Sequence, residues 1–217
     1  MFKVAIFDLD GTLLNTLDDL ANACNYVLNK FNFPIHEVDK YKTFIGNGIY
    51  KLVERALPEG KKDSGTVTTV LEVFNKYYNE HMMDMTKPYD GIIELLDELS
   101  SKGIKLAVVS NKKHDFTIEI VKKYFGERFD IVFGHRDNYK EKPDPVSVLE
   151  IIEAFNISNE ECIYIGDSNV DIITARNAGI KSIGVSWGFR GKEELEREGA
   201  DYLANNTEEL EDIILNN

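Results

Sequence analysis

The sequence predicts an α/β protein, a doubly wound, Rossmann-like parallel sheet with an all-helical domain inserted into it, on three observations. Short runs rich in Val and Ile, near-continuously apolar, alternate with helix-period segments, as strands covered on both faces alternate with their crossovers. The alternation stops after the first run, and residues 15–85 carry helical patterns only. The apolar runs also end in polar residues, where open α/β sheets place their ligands.

The first strand covers residues 4–7. Helical patterns follow over residues 17–31, 38–44, 49–57 and 67–83, with turn signals at 32–34, 46–48 and 58–65. That block is too long for one crossover. It reads as an inserted helical domain, 15–87, with hinges near 14–16 and 87–91, which leaves 1–14 and 88–217 as the core domain. In the core, residues 92–101 space Ile and Leu as an amphipathic helix and stop at Gly103, a C-terminal cap. A strand at 105–109, a helix at 116–125 ending at Gly126, and a strand at 130–133 come next. A helix at 146–155 follows a proline, then a strand at 162–165, a helix at 170–178 stopped by Gly179, and a strand at 182–185.

Composition narrows the function. No apolar run approaches the ~20 residues of a membrane span, and the chain begins without a secretory leader pattern. Cys24 and Cys162 lie in apolar settings and read as reduced core residues of a cytoplasmic protein. The formal net charge is −13, spread along all 217 residues, which argues against nucleic acid and anionic membranes as partners. An anionic small substrate then requires a locally positive site.

The strand ends supply the chemistry. The first runs into Asp8 and Asp10, the second into Ser110 and Asn111, and the fourth into Asp167, with Asp171 one helical turn on. Lys142 precedes a proline just before a helix. Each residue alone has an ordinary explanation as a turn, a cap or a solvated lysine. Together they bring carboxylates, a hydroxyl, an amide and an ammonium to one sheet edge. Two carboxylates ~4 Å apart repel by roughly 4 kcal/mol at an effective dielectric near 20, so such a cluster demands a cation. All the offered ligands are oxygens, which favours a hard ion such as Mg²⁺. With Mg²⁺ and Lys142 in place the site accepts an anion with several oxygens, and phosphate fits. A carboxylate nucleophile divides the barrier to phosphoester hydrolysis, while a second carboxyl moves the protons. Gly11 lets the backbone turn closely past the phosphate.

The segments Asp8-Leu9-Asp10-Gly11-Thr12-Leu13, Val109-Ser110-Asn111, Lys142-Pro143 and Gly166-Asp167-Ser168-Asn169-Val170-Asp171 resemble the four motifs of the haloacid dehalogenase-like hydrolases. The resemblance spans the chain, with residues 15–87 as the family's cap domain. It implies Asp8 as nucleophile, Asp10 as general acid/base, and Ser110 with Asn111 on a phosphoryl oxygen. Lys142 stabilises phosphate and nucleophile. Mg²⁺ is held by Asp167, the Asp8 carboxylate and the Asp10 carbonyl, while Asp171 supports the metal shell or holds Lys142. The family's dehalogenases lack the second aspartate and the metal cluster, so a phosphatase is implied. The stretches beginning at Gly46, Lys142, Val185 and Gly199 resemble the phosphoglycolate phosphatase group in particular.

Such a phosphatase acts on a small phosphorylated metabolite, as a monomer or homodimer. The insert selects the substrate, with Asn47 in a Gly-Asn-Gly turn opening a helix, and Lys51 and Arg55 four apart on it, as candidate contacts. Phe74, Tyr77, Tyr78 and Tyr50 read chiefly as the insert's own core. The alternatives are a phosphomutase of the β-phosphoglucomutase kind, a pyrophosphatase or nucleotidase of the same superfamily, and a non-catalytic phosphate-binding module. Retention of both Asp8 and Asp10 argues against the last.

Overall fold

The apolar runs become strands and the periodic segments helices, in a computed structural model that describes residues 2–217. In chain order these are β1 Val4–Phe7, β2 Leu14–Asn15, α1 Leu17–Lys30, α2 Gly48–Ala56, α3 Ser64–His81 and β3 Lys87–Pro88. Then come α4 Ile92–Ser101, β4 Lys105–Lys113, α5 His114–Phe125, β5 Ile131–His135 and α6 Val146–Phe155. The chain closes with β6 Cys162–Gly166, α7 Asn169–Ala178, β7 Lys181–Val185, α8 Lys192–Glu198, β8 Tyr202–Ala204 and α9 Thr207–Asn216.

The main sheet has the order β5-β4-β1-β6-β7-β8, and each recorded pairing is parallel. The chain runs outward on one side of β1 through β4 and β5, then returns to β6 on its other side. That reversal puts a topological switch point at the carboxyl ends of β1, β4 and β6. All four β1 residues are fully buried. Val4 and Ile6 face a cluster with Ala107, Val109, Val148, Ile151 and Tyr164. Burying such aliphatic side chains stabilises by about 1.5–3 kcal/mol each, so the strand that leads into Asp8 is firmly held.

Three features depart from the sequence reading. The sheet has six strands, because β8 joins its edge beside β7, and α8 and α9 follow the last expected strand. A three-residue edge strand is too short to show a period. Residues Val38–Thr43 form a 3₁₀ helix rather than an α-helix. Finally, β4 continues to Lys113 with a register irregularity after Val109, so its polar half belongs to the strand.

Contacts divide the chain into two compact units, one of Pro88–Asn217 with the chain up to Leu14, the other Asn15–Lys87. In the helical unit, α1 buries Leu17, Leu20, Ala21, Cys24, Val27 and Leu28, an i, i+3, i+4, i+7 face. Phe74 and Tyr78 are fully buried and stack with centroids 5.3 Å apart, whereas Tyr50 is exposed and Tyr77 stacks on Tyr26 at 3.9 Å. Asp19, in the first turn of α1, accepts the backbone N–H groups of Met85 and Thr86 at 2.9 and 2.8 Å. Cys24 and Cys162 are buried and free, and burial pushes the Cys162 thiol up to about 12. No helix among the described residues is long and apolar enough to cross a membrane.

Candidate active site

Three neighbouring strands deliver the site. β1 passes directly into Asp8, whose N–H donates to Ile165 on β6 at 2.9 Å. The next turn needs Gly11 at φ +91°, and a Cβ there would stand 2.4 Å from an Asp167 carboxylate oxygen. Only glycine satisfies both constraints. α7 begins with a capping box in which Ser168 and Asp171 satisfy each other's backbone N–H groups, so the same Asp171 that caps the helix is fixed beside the strand ends.

Lys142 sits at the centre. Its ammonium reaches Asp8 Oδ1 at 2.8 Å, Asp171 Oδ1 at 2.7 Å and the Tyr164 hydroxyl at 3.1 Å, three partners for three N–H donors. Tyr164 in turn donates to the Val109 carbonyl at 2.9 Å. Burial opposes the charge on Lys142, but the Asp171 and Asp8 carboxylates outweigh it and hold the ammonium protonated, its pKa well above the ordinary lysine value. Burial, aided by the Asp171 charge, pushes the Asp8 carboxyl up to about 7, against the pull of Lys142. Asp167 is likewise pushed well up, by burial first and then by the Asp171 and Asp8 charges.

Carboxylate oxygens of Asp8, Asp167 and Asp171 lie within 4.8 Å of one another, all three residues buried. Three carboxylates against one ammonium leave a formal charge of −2, the deficit that one divalent cation fills, and the donors are all oxygen. The residues present therefore fit a hard divalent ion. Asp167 turns one oxygen to the Phe189 N–H at 2.7 Å and the other to the Thr12 hydroxyl at 3.4 Å. Both oxygens of Asp171 are engaged, Oδ1 by Lys142 and Oδ2 by the Ser168 hydroxyl at 2.7 Å. Asp10 stands outside the three-carboxylate cluster, its Oδ1 on Lys112 Nζ at 3.0 Å.

The core unit thus brings together Asp8, Asp10, Gly11, Ser110, Asn111, Lys142, Asp167 and Asp171. Asn111 lies buried beside Ser110 and turns its amide to Lys142. Its Oδ1 accepts the Lys142 N–H at 2.7 Å and its Nδ2 donates to the Lys142 carbonyl at 3.1 Å, so it clamps the lysine's backbone. Ser110 is buried, its hydroxyl accepting the Lys112 N–H at 3.2 Å. Asn47, Lys51 and Arg55 belong to the helical unit. There Arg55 donates to the Asn47 side chain at 2.7 Å and to the Phe44 carbonyl at 2.8 Å, and exposed Lys51 pairs with Glu54 at 2.6 Å. Sequence reasoning missed Lys112, Tyr164 and Trp187, whose indole N–H donates to the Thr12 carbonyl at 3.0 Å. Lys112 was legible only as a lysine two residues after Ser110. Tyr164 was hidden as an apolar strand residue.

A doubly wound parallel sheet whose switch point gathers three clustered buried carboxylates and two buried lysines defines an α/β scaffold of the hydrolase kind. The chain belongs to the haloacid dehalogenase-like hydrolases, whose family model matches residues 5–185. It is 34% identical over 223 residues to the phosphoglycolate phosphatase of Haemophilus influenzae, covering 98% of each chain. To that of Thiobacillus denitrificans it is 33% identical over 195 residues, covering 88% of this chain and 86% of the relative. A solved structure from Lactobacillus delbrueckii subsp. bulgaricus superposes with a TM-score of 0.95 at 36% identity, covering 100% of this chain and 99% of the other.

Proposed function

We propose that the protein is a Mg²⁺-dependent phosphomonoester hydrolase working through a phosphorylated Asp8, with 2-phosphoglycolate as substrate. The observation that carries the reading is Asp8 itself, at the switch point, bonded to a fully partnered Lys142 and flanked by a cluster short of two positive charges. The relatives named phosphoglycolate phosphatases support the substrate.

Asp8 attacks phosphorus in line, forming the acyl-phosphate bond as the ester P–O bond breaks. Asp10 protonates the departing alkoxide, then takes a proton from the water that attacks phosphorus and frees Asp8. The Ser110 hydroxyl donates to a phosphoryl oxygen, and Gly11 lets the backbone come close. Lys142 keeps Asp8 ionised and aimed, held in turn by Asp171 through its ammonium and by Asn111 through its backbone. Asp8, Asp167 and the Asp10 carbonyl would hold Mg²⁺, with Asp171 behind Lys142 in a supporting role. When bound, the ion neutralises developing charge on the phosphoryl oxygens. The helical unit acts as a cap in which Asn47, Lys51 and Arg55 select the part of the substrate beyond phosphorus. The scheme needs no second chain in the site and suits a cytoplasmic monomer or homodimer.

Phosphate release from p-nitrophenyl phosphate and from a panel of phosphorylated metabolites, ranked by kcat/KM, tests this. The panel should include 2-phosphoglycolate, β-glucose 1-phosphate, pyrophosphate and nucleoside monophosphates. Release is expected with Mg²⁺ and lost with EDTA; no release from any member with Mg²⁺ present overturns the reading. Tyr164→Phe is expected to lower kcat/KM about 10–100-fold, the value of one hydrogen bond to a charged group, and to lower Tm by a few degrees, because Lys142 and the Val109 carbonyl each lose a buried partner. An unchanged kcat/KM removes Tyr164 from the account.

A further inference from the structure

Lys112 is used by no step above, yet Lys112 and Lys142 are the two lysines buried among the described residues, and no arginine is buried with them. Taking an ammonium out of water costs several kcal/mol, so its partner matters. That partner is Asp10, with Nζ to Oδ1 at 3.0 Å and side-chain exposures of 2% and 15%. The neighbouring Lys113 is 55% exposed and lies 3.8 Å from Asp115.

The fold holds Lys112 from several sides. It lies two residues beyond Ser110 on β4, in the irregular stretch after Val109. Its N–H donates to the Ser110 hydroxyl at 3.2 Å and its carbonyl accepts from the Thr117 hydroxyl at 3.1 Å. A Cβ on Gly134 of β5 would stand 2.6 Å from the Lys112 carbonyl oxygen and 2.4 Å from Thr117 Oγ1, so β5 closes on this point only with glycine there. A long, flexible side chain thus starts from a backbone held at both its N–H and its carbonyl and reaches Asp10 Oδ1.

We propose that Lys112 is a positioning residue for Asp10. By engaging Oδ1 it sets the rotation of the carboxyl and presents Oδ2 to the oxygen that leaves and later to the water that enters. Each of the two aspartates of the proposed reaction thus has a lysine on it, Lys142 on Asp8 and Lys112 on Asp10. The proposal rests on Asp10 being the general acid/base. It separates from a merely structural ion pair by leaving group, because an alkoxide needs a proton to depart and p-nitrophenolate does not.

The test compares kcat/KM, which reports steps up to leaving-group departure, for an alkyl phosphate and for p-nitrophenyl phosphate. The alkyl ester is 2-phosphoglycolate, or glycerol 2-phosphate if the panel excludes the first. Lys112→Met is expected to lower the alkyl value about 100-fold, the low end of general acid catalysis, and the aryl value less than about 5-fold. Lys112→Arg should recover part of the alkyl-to-aryl ratio, and Lys113→Met should leave both values unchanged. Equal losses on both esters, or no loss on either, overturn the proposal. Should Lys112→Met fail to fold, Lys112→Gln and Lys112→Arg decide it, and a ratio in Arg no closer to wild type than in Gln overturns it. p-Nitrophenyl phosphate turnover that survives Asp8→Asn sinks the covalent mechanism instead, so the two failures are told apart.

Discussion

Asp8→Asn is expected to lower kcat for p-nitrophenyl phosphate at least ~10⁴-fold, the scale at which removing a covalent catalytic group acts, while the protein stays folded. The substitution keeps the volume of a buried side chain and leaves an oxygen for Lys142, whose other partners, Asp171 and Tyr164, are untouched. What it removes is the negative oxygen that attacks phosphorus. Nothing else on the strand ends replaces it, because Asp167 and Asp171 are committed to the Phe189 N–H, Lys142 and Ser168. Steady-state turnover with the protein's circular dichroism and Tm measured alongside gives the answer. Activity within ~100-fold of wild type, in a folded protein, rules out Asp8 as the covalent centre.

The sheet core was legible because buried parallel strands announce themselves as apolar runs, and β1 and β6 are buried along their whole length. The insert was legible for the opposite reason, that no such run interrupts residues 15–85. The same rule hid the end of β4, where Ser110, Asn111 and Lys112 are buried polar residues on a strand rather than the loop their polarity suggested. Asn111 shows the limit for the site. A residue beside Ser110 offers an amide, but sequence does not say which partner that amide takes, and here it takes the backbone of a lysine thirty-one positions away. Lys112 escaped notice because a lysine next to a second lysine reads as solvated until burial separates them. Contacts within the helical unit, such as Arg55 with Asn47, depend on local side-chain choices that periodicity does not encode.

Freed of divalent ions, the protein is expected to lose stability as pH rises from about 5 to about 7, and Mg²⁺ is expected to offset part of that loss. The sign follows from the raised carboxyls. Asp8 stands at about 7 in the folded protein against 3.8 as its ordinary value, and Asp167 moves the same way. Between those values the native state binds protons that the unfolded chain has already released, so stability falls with pH. Lys142, held well above its ordinary value, is protonated in both states across this window and adds no slope. Glu161, pulled down to about 2 by Lys3, acts only below its ordinary 4.5. A shift of the size seen for Asp8 corresponds to about 4 kcal/mol at most, on the order of 10 °C in Tm for a chain of this length. An ion held by Asp8 and Asp167 binds the native state alone and stabilises it by about 2.7 kcal/mol at a hundred times its Kd. Its effect should grow as pH rises through about 7, where Asp8 ionises, and be small near pH 5. Thermal melts in EDTA and in Mg²⁺ across this range measure both effects. In Asp167→Asn the slope should flatten and the Mg²⁺ shift should vanish. A metal-free Tm that rises from pH 5 to 7, or a Mg²⁺ shift that survives Asp167→Asn, refutes the assignment of this cluster as the cation site.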